Sequence, residues 1–120
     1  MQKNEFYESP RWLRVRKRVL LRDKYQDIWA KRYGKVKAAE VVHHIFPRDE
    51  FPQYQYSTWN LISVSRQTHN TFHDRDTDEL TETGMELLRS TARKNGIEIP
   101  EKYMVRKGKG RSKRRDAYYT

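Results

Sequence analysis

The 120-residue sequence contains no cysteine. That absence excludes disulfides and any zinc held by thiolates, and it removes one mark of an oxidising compartment. No apolar run approaches the roughly 18 residues of a membrane span. The polar opening MQKNEFYE does not read as a signal peptide. The expectation is a soluble, cytoplasmic chain with no membrane partner. Its length suits one modest domain with a small core. Histidine is also scarce, and all four histidines fall between Val41 and Asp76.

What is abundant is positive charge, with a net of +10. Residues 1–25 carry eight Lys/Arg against three acids, and residues 106–120 carry seven against one, leaving the middle at −1. Two basic ends around a near-neutral centre suit a partner with a long run of negative charge, and nucleic acid is the commonest such partner. From Arg106 the segment RKGKGRSKRR has no apolar pattern. It is expected to be a disordered basic tail (106–120) behind a domain spanning 1–105. There is no internal repeat.

Along the chain, Ser9-Pro10 is a helix-start signal, with serine as N-cap and proline at the first helical position. The spacing of Trp12, Leu13, Val15, Val19 and Leu20 predicts an amphipathic helix from about Pro10 to Lys24, with Phe6 and Tyr7 packing ahead of it. Arg14, Arg18 and Arg22 fall largely on its other side, where they form either a solvated face or phosphate contacts. In residues 25–40, Ile28, Trp29 and Tyr33 suggest a buried patch before Gly34. Val41 to Phe46 reads as a strand closed by Pro47, and residues 48–59 as a polar and aromatic loop. Leu61 to Val64 reads as a second strand. Ser65 or Thr68 can cap a helix carrying His69 and His73 to about Arg75. An acidic turn over residues 76–79 follows, then a helix from Thr81 to Asn95 with Leu80, Leu87, Leu88 and Ala92 as its buried stripe and Gly96 as its stop.

The order is therefore strand, loop, strand, helix, with histidines at the first strand's end and on the helix. Strict alternation points His43 and His44 to opposite faces. Imidazoles with an open coordination position suit a divalent cation. A histidine pair four residues apart is equally a surface or capping feature, and Asn60 read alone is a turn residue.

Taken together, V-H-H-I at residues 42–45, Asn60-Leu61 and His69-x-x-x-His73 resemble the HNH nucleases, whose core is the ββα-metal finger. FYESPRWLRVRKRVLLRDKY, AEVVHHIFP and LTETGMELLR are similar to the small HNH endonucleases of phages and prophages, so the resemblance covers roughly Phe6 to Pro100. It implies an α+β fold: a short two-stranded antiparallel sheet plus helix, flanked by N-terminal and C-terminal helices. It implies that His43, His69 and His73 bind one divalent metal ion (Mg, Mn, Ni or Zn), that His44 is the general base, and that Asn60 braces the loop and orients that base. The activity implied is hydrolysis of DNA phosphodiester bonds, as nicks or double-strand breaks with low sequence specificity. Arg14, Arg18, Arg22, Arg48, Arg66 and Arg75 are the candidate nucleic-acid contacts. A phage setting, in the host cytoplasm, suggests DNA packaging or processing beside a terminase. The competing expectation is a non-catalytic nucleic-acid-binding module on a degenerate finger.

One departure stands out. Members of the family often carry a structural zinc on two C-x-x-C pairs, and here those positions are Gln26 with Trp29 and Ser65 with Thr68. No structural zinc is expected. A small fold needs a substitute for such a staple, and apolar packing by Trp29 and its neighbours, or an oligomer interface, is the expected one.

Overall fold

The computed structural model describes residues 2–104. The expected basic tail, and the boundary at 105/106, lie outside the described residues. The described residues divide into two compact units, one up to residue 69 and one from residue 70. No helix among the described residues is long and apolar enough to cross a membrane.

The first unit opens with two helices, α1 (Gln2–Glu8) and α2 (Pro10–Arg22), and one serine serves both. Ser9 Oγ accepts the Trp12 N–H at 3.2 Å to cap α2, and donates to Phe6 O at 2.8 Å to close α1. The sequence pattern had not predicted α1. Trp12, Val19 and Leu20 of α2 are buried with Ala39, Val42 and Leu61, and Phe6, Val15 and Tyr56 pack at the edge of this cluster. Leu13, expected in the stripe, is 49% exposed.

Beyond α2 the chain reverses through Lys24 and Tyr25, both at positive φ (57° and 56°). Asp27 then caps the short helix α3 (Ile28–Arg32) by accepting the Ala30 N–H at 2.8 Å. The expected apolar patch here is corrected. Tyr33 is 61% exposed and Ile28 and Trp29 are half-buried, so the buried side of α3 is Ala30. The Trp29 ring lies against Tyr33 and beneath Arg32, because a five-residue helix has one narrow inward face.

Strands β1 (Val41–His44) and β2 (Leu61–Val64) pair antiparallel, with Val41 opposite Val64 and His44 opposite Leu61. β1 ends two residues before the expected Phe46. There Asn60 takes over the pairing: its carbonyl accepts the Ile45 N–H at 2.9 Å and its side-chain oxygen the Phe46 N–H at 2.7 Å. The connecting loop folds around Phe46, which is fully buried against the rings of Phe51, Tyr54 and Trp59. Arg22 straps the end of α2 to the sheet, donating to Thr58 O at 2.9 Å and Leu61 O at 2.8 Å while paired with Asp23. Asp23 in turn accepts the Ser63 N–H at 3.1 Å. Helix α4 (Arg66–Asn70) follows β2 directly.

The positions expected to have lost a zinc are tied by hydrogen bonds. The Asp27 carboxylate accepts the Ser65 N–H at 2.9 Å, and Ser65 Oγ lies 3.1 Å from both Thr68 N and Thr68 Oγ1. A polar clasp thus occupies the place for which apolar packing by Trp29 was expected. A buried carboxylate can satisfy several donors at once, as a metal satisfies several ligands.

In the second unit, helix α5 (Glu82–Asn95) buries Gly84, Met85, Leu87, Leu88, Thr91 and Ala92, with Leu80 buried just ahead of it. This is the stripe the spacing predicted, enlarged by Met85 and by Gly84 and Thr91, one too small and one too polar to signal it. Thr81 caps the helix by accepting the Gly84 N–H at 3.2 Å. Gly96 stops it with φ 64°, as expected. Arg89 pairs with Glu82 and donates to Tyr103 O at 2.8 Å.

Candidate active site

The site grows from the end of β1. Alternation sends the two adjacent histidines to different neighbours. The His43 ring faces His69 of α4, with ring centroids 5.2 Å apart. The His44 ring stacks on Trp12, centroids 4.9 Å apart and planes within 24°, with Phe6 and Tyr7 at its edges. Both histidines are buried, at 2% and 7% exposure.

His44 Nε2 lies 3.0 Å from Gln55 O. A carbonyl only accepts, so in the neutral ring the proton sits on Nε2 and the Nδ1 lone pair is left to take a proton. Burial, seconded by the charge of Arg48, holds the imidazole below its ordinary pKa, and the hydrogen bond to Gln55 works the other way. The neutral, basic form is therefore favoured near neutrality. Asn60 fixes the loop that carries this carbonyl. It is fully buried, accepts from Phe46 N, and donates to Phe46 O and Tyr54 O at 3.2 Å each.

The helix expected to carry both His69 and His73 stops at Asn70, and His73 instead forms an isolated antiparallel bridge with Leu80. The reason lies in the carbonyls a longer helix would have used. Thr71 O accepts the Thr81 hydroxyl at 2.6 Å and Phe72 O accepts the Thr81 N–H at 2.9 Å. His73 Nδ1 lies 3.1 Å from Asp78 O, an arrangement that in the neutral ring puts the proton on Nδ1 and the lone pair on Nε2.

His43, His69 and His73 form a group able to hold a metal ion, each offering one ring nitrogen and all three within 4.8 Å of one another. The donor set fits a divalent cation. Three imidazoles would supply three nitrogen ligands to such an ion, a donor type that divalent transition metals favour. His44, on the opposite side of the strand, is not in this group.

The candidate arginines are placed unequally. Arg14, Arg18, Arg66 and Arg75 are exposed. Arg22 is engaged with Asp23 and two backbone carbonyls, an internal strut. Arg48 lies over the Phe6 ring, 4.1 Å from its centroid, with its Nε buried and without a hydrogen-bond partner among the described residues. The sequence reading missed Gln55, which acts through its backbone and leaves no side-chain signal. It also missed Trp12 as a neighbour of His44, having placed that residue in the core alone.

The architecture is α+β, a two-stranded antiparallel sheet followed by a short helix with histidines on the first strand and the helix: the class of the ββα-metal finger. No family model and no curated protein matches the chain. Among solved structures, it is similar to the HNH endonuclease of the deep-sea thermophilic bacteriophage GVE2, crystallised with manganese ion. The two are 32% identical with a TM-score of 0.56, over 57% of this chain and 75% of the phage protein's. The chain belongs to the HNH endonuclease family.

Proposed function

We propose that the protein is a metal-dependent endonuclease that hydrolyses phosphodiester bonds in DNA with low sequence selectivity. The observation that carries this reading is the division of labour at the end of β1. His43 faces a ligand partner, while its neighbour His44 is locked by Gln55 O with Nδ1 unprotonated. A structural metal knot has no use for the second arrangement. A divalent ion held by His43, His69 and His73 would supply positive charge to the scissile phosphate and the leaving oxygen. His44 Nδ1 takes the proton of the attacking water, Gln55 O keeps the ring in the required tautomer, and Asn60 holds the loop bearing that carbonyl. Trp12, Phe6 and Tyr7 exclude water from the ring's faces. Arg14, Arg18, Arg66 and Arg75 are the arginines exposed for phosphate contact.

Support for a nucleic-acid substrate comes from the basic charge and from the likeness to a phage HNH endonuclease. The setting we infer is phage DNA processing, with a packaging terminase as the partner such a setting suggests.

The test is plasmid nicking with Mg²⁺, Mn²⁺, Ni²⁺ or Zn²⁺ and with EDTA. Cleavage is expected with at least one metal and none with EDTA. His44→Ala abolishes cleavage while metal still binds, whereas His69→Ala loses the metal. DNA retarded on a gel but uncut with every metal would favour a binding module instead.

A further inference from the structure

Asp27 is an acid in an unexpected place. It is fully buried, and a buried carboxylate carries a desolvation cost that serine or asparagine, equally good helix caps, would avoid. Its charge is explained by the number of donors around it. One oxygen accepts Ala30 N–H at 2.8 Å and the other Ser65 N–H at 2.9 Å, and the Thr68 hydroxyl, itself accepting from Ser65 Oγ, adds a further bond. The first bond caps α3; all the others reach the start of α4.

That helix has five residues, too few to hold its own direction. Its orientation depends on what grips its first turn. Ser65 Oγ accepts the Thr68 N–H at 3.1 Å, and Ser65 O accepts the His69 N–H at 2.9 Å. Two hydrogen bonds therefore connect the Asp27 carboxylate to the backbone of His69. Four residues earlier, Asp23 makes a similar bond to Ser63 N–H, but Ser63 lies inside β2, whose ladder with β1 already fixes its direction, and away from α4.

We infer that Asp27 is a positioning residue for the metal site: through Ser65 it sets the direction of α4 and so presents the His69 imidazole toward His43. This rests on the proposed role of His69 as a metal ligand.

The experiment is isothermal titration of the full chain with Mn²⁺ and with Ni²⁺, comparing wild type, Asp27→Asn and Asp23→Asn, each also melted by circular dichroism. Asp27→Asn is expected to weaken metal binding by about 10-fold, the low end of what groups supporting a ligand contribute. Asp23→Asn is expected to lower the melting temperature comparably yet leave the metal dissociation constant unchanged. If Asp27→Asn does not fold, Thr68→Val removes one hydroxyl from the same clasp and is expected to weaken metal binding by a smaller factor. Equal effects of the two aspartate variants on metal affinity, or no effect from Asp27→Asn and Thr68→Val, would overturn the inference. Failure of the wild type to bind either metal would overturn the metal reading itself, and the inference with it.

Discussion

Replacing Asn60 by alanine strips three backbone groups of their partner: the buried Phe46 N–H and O, and the partly buried Tyr54 O. The N–H has one hydrogen to place and no water to receive it, a loss of about 2 kcal/mol. Each carbonyl keeps a second lone pair and loses about 0.5–1 kcal/mol, so the variant should be destabilised by about 3–4 kcal/mol. Asn60→Asp sharpens the reasoning. The carboxylate still accepts from Phe46 N–H but turns a second oxygen toward two carbonyls, so its loss should be greater at pH 7 than at pH 4, where a protonated carboxyl can donate again. Tyr54 precedes Gln55, so freeing its carbonyl also loosens the one that holds His44. Urea unfolding gives the stability, and nicking at saturating metal gives the site. Both variants within about 1 kcal/mol of wild type, with nicking unimpaired, would refute the bracing role derived for Asn60.

Alanine at Gly84 would place a Cβ 2.5 Å from Phe72 O and 2.9 Å from Leu80 Cδ2. The helix-propensity gain of about 1 kcal/mol should thus be reversed into a net loss of about 1–3 kcal/mol, read by thermal melting. The Asp23 and Asp27 carboxyls are both lowered from their ordinary values: burial opposes ionisation, but hydrogen bonds, led by Arg22 and by Ala30 N–H respectively, outweigh it. A lowered folded pKa means that the unfolded chain binds more protons. Stability should be fully present above the ordinary carboxylate range and fall as pH drops through the folded values, and Asp27→Asn should flatten that slope in acid titrations followed by circular dichroism. Arg22→Ala should lower the melting temperature through its lost strut. Arg14→Ala and Arg18→Ala should leave stability alone and each reduce the salt dependence of DNA binding, which a gel-shift series across ionic strength would measure.

The parts legible in the sequence are those decided by local chemistry. The Ser9-Pro10 start of α2, the Thr81 cap and Gly96 stop of α5, and the β-branched runs of β1 and β2 each follow from preferences a few residues long. The family pattern also set His44 apart from the other three histidines, which the structure groups together. Helix α1 was not legible, because its two apolar residues, Phe6 and Tyr7, are adjacent and give no helical spacing; their packing ahead of α2, which was expected, is found against Trp12.

By itself, then, the sequence supplied the residues from which the proposed chemistry is drawn: four histidines in one stretch, an asparagine between the strands, and a basic excess. Only the tertiary structure decided how they are held. Thr81 ends the helix expected beneath His73, Gln55 chooses the tautomer of His44 through a backbone carbonyl, and Asp27 reaches 38 residues ahead to grip Ser65. Each of these is a hydrogen bond to a main-chain group. Every residue has such groups, so their pairing leaves almost no mark on composition or spacing and is settled only when the chain has folded.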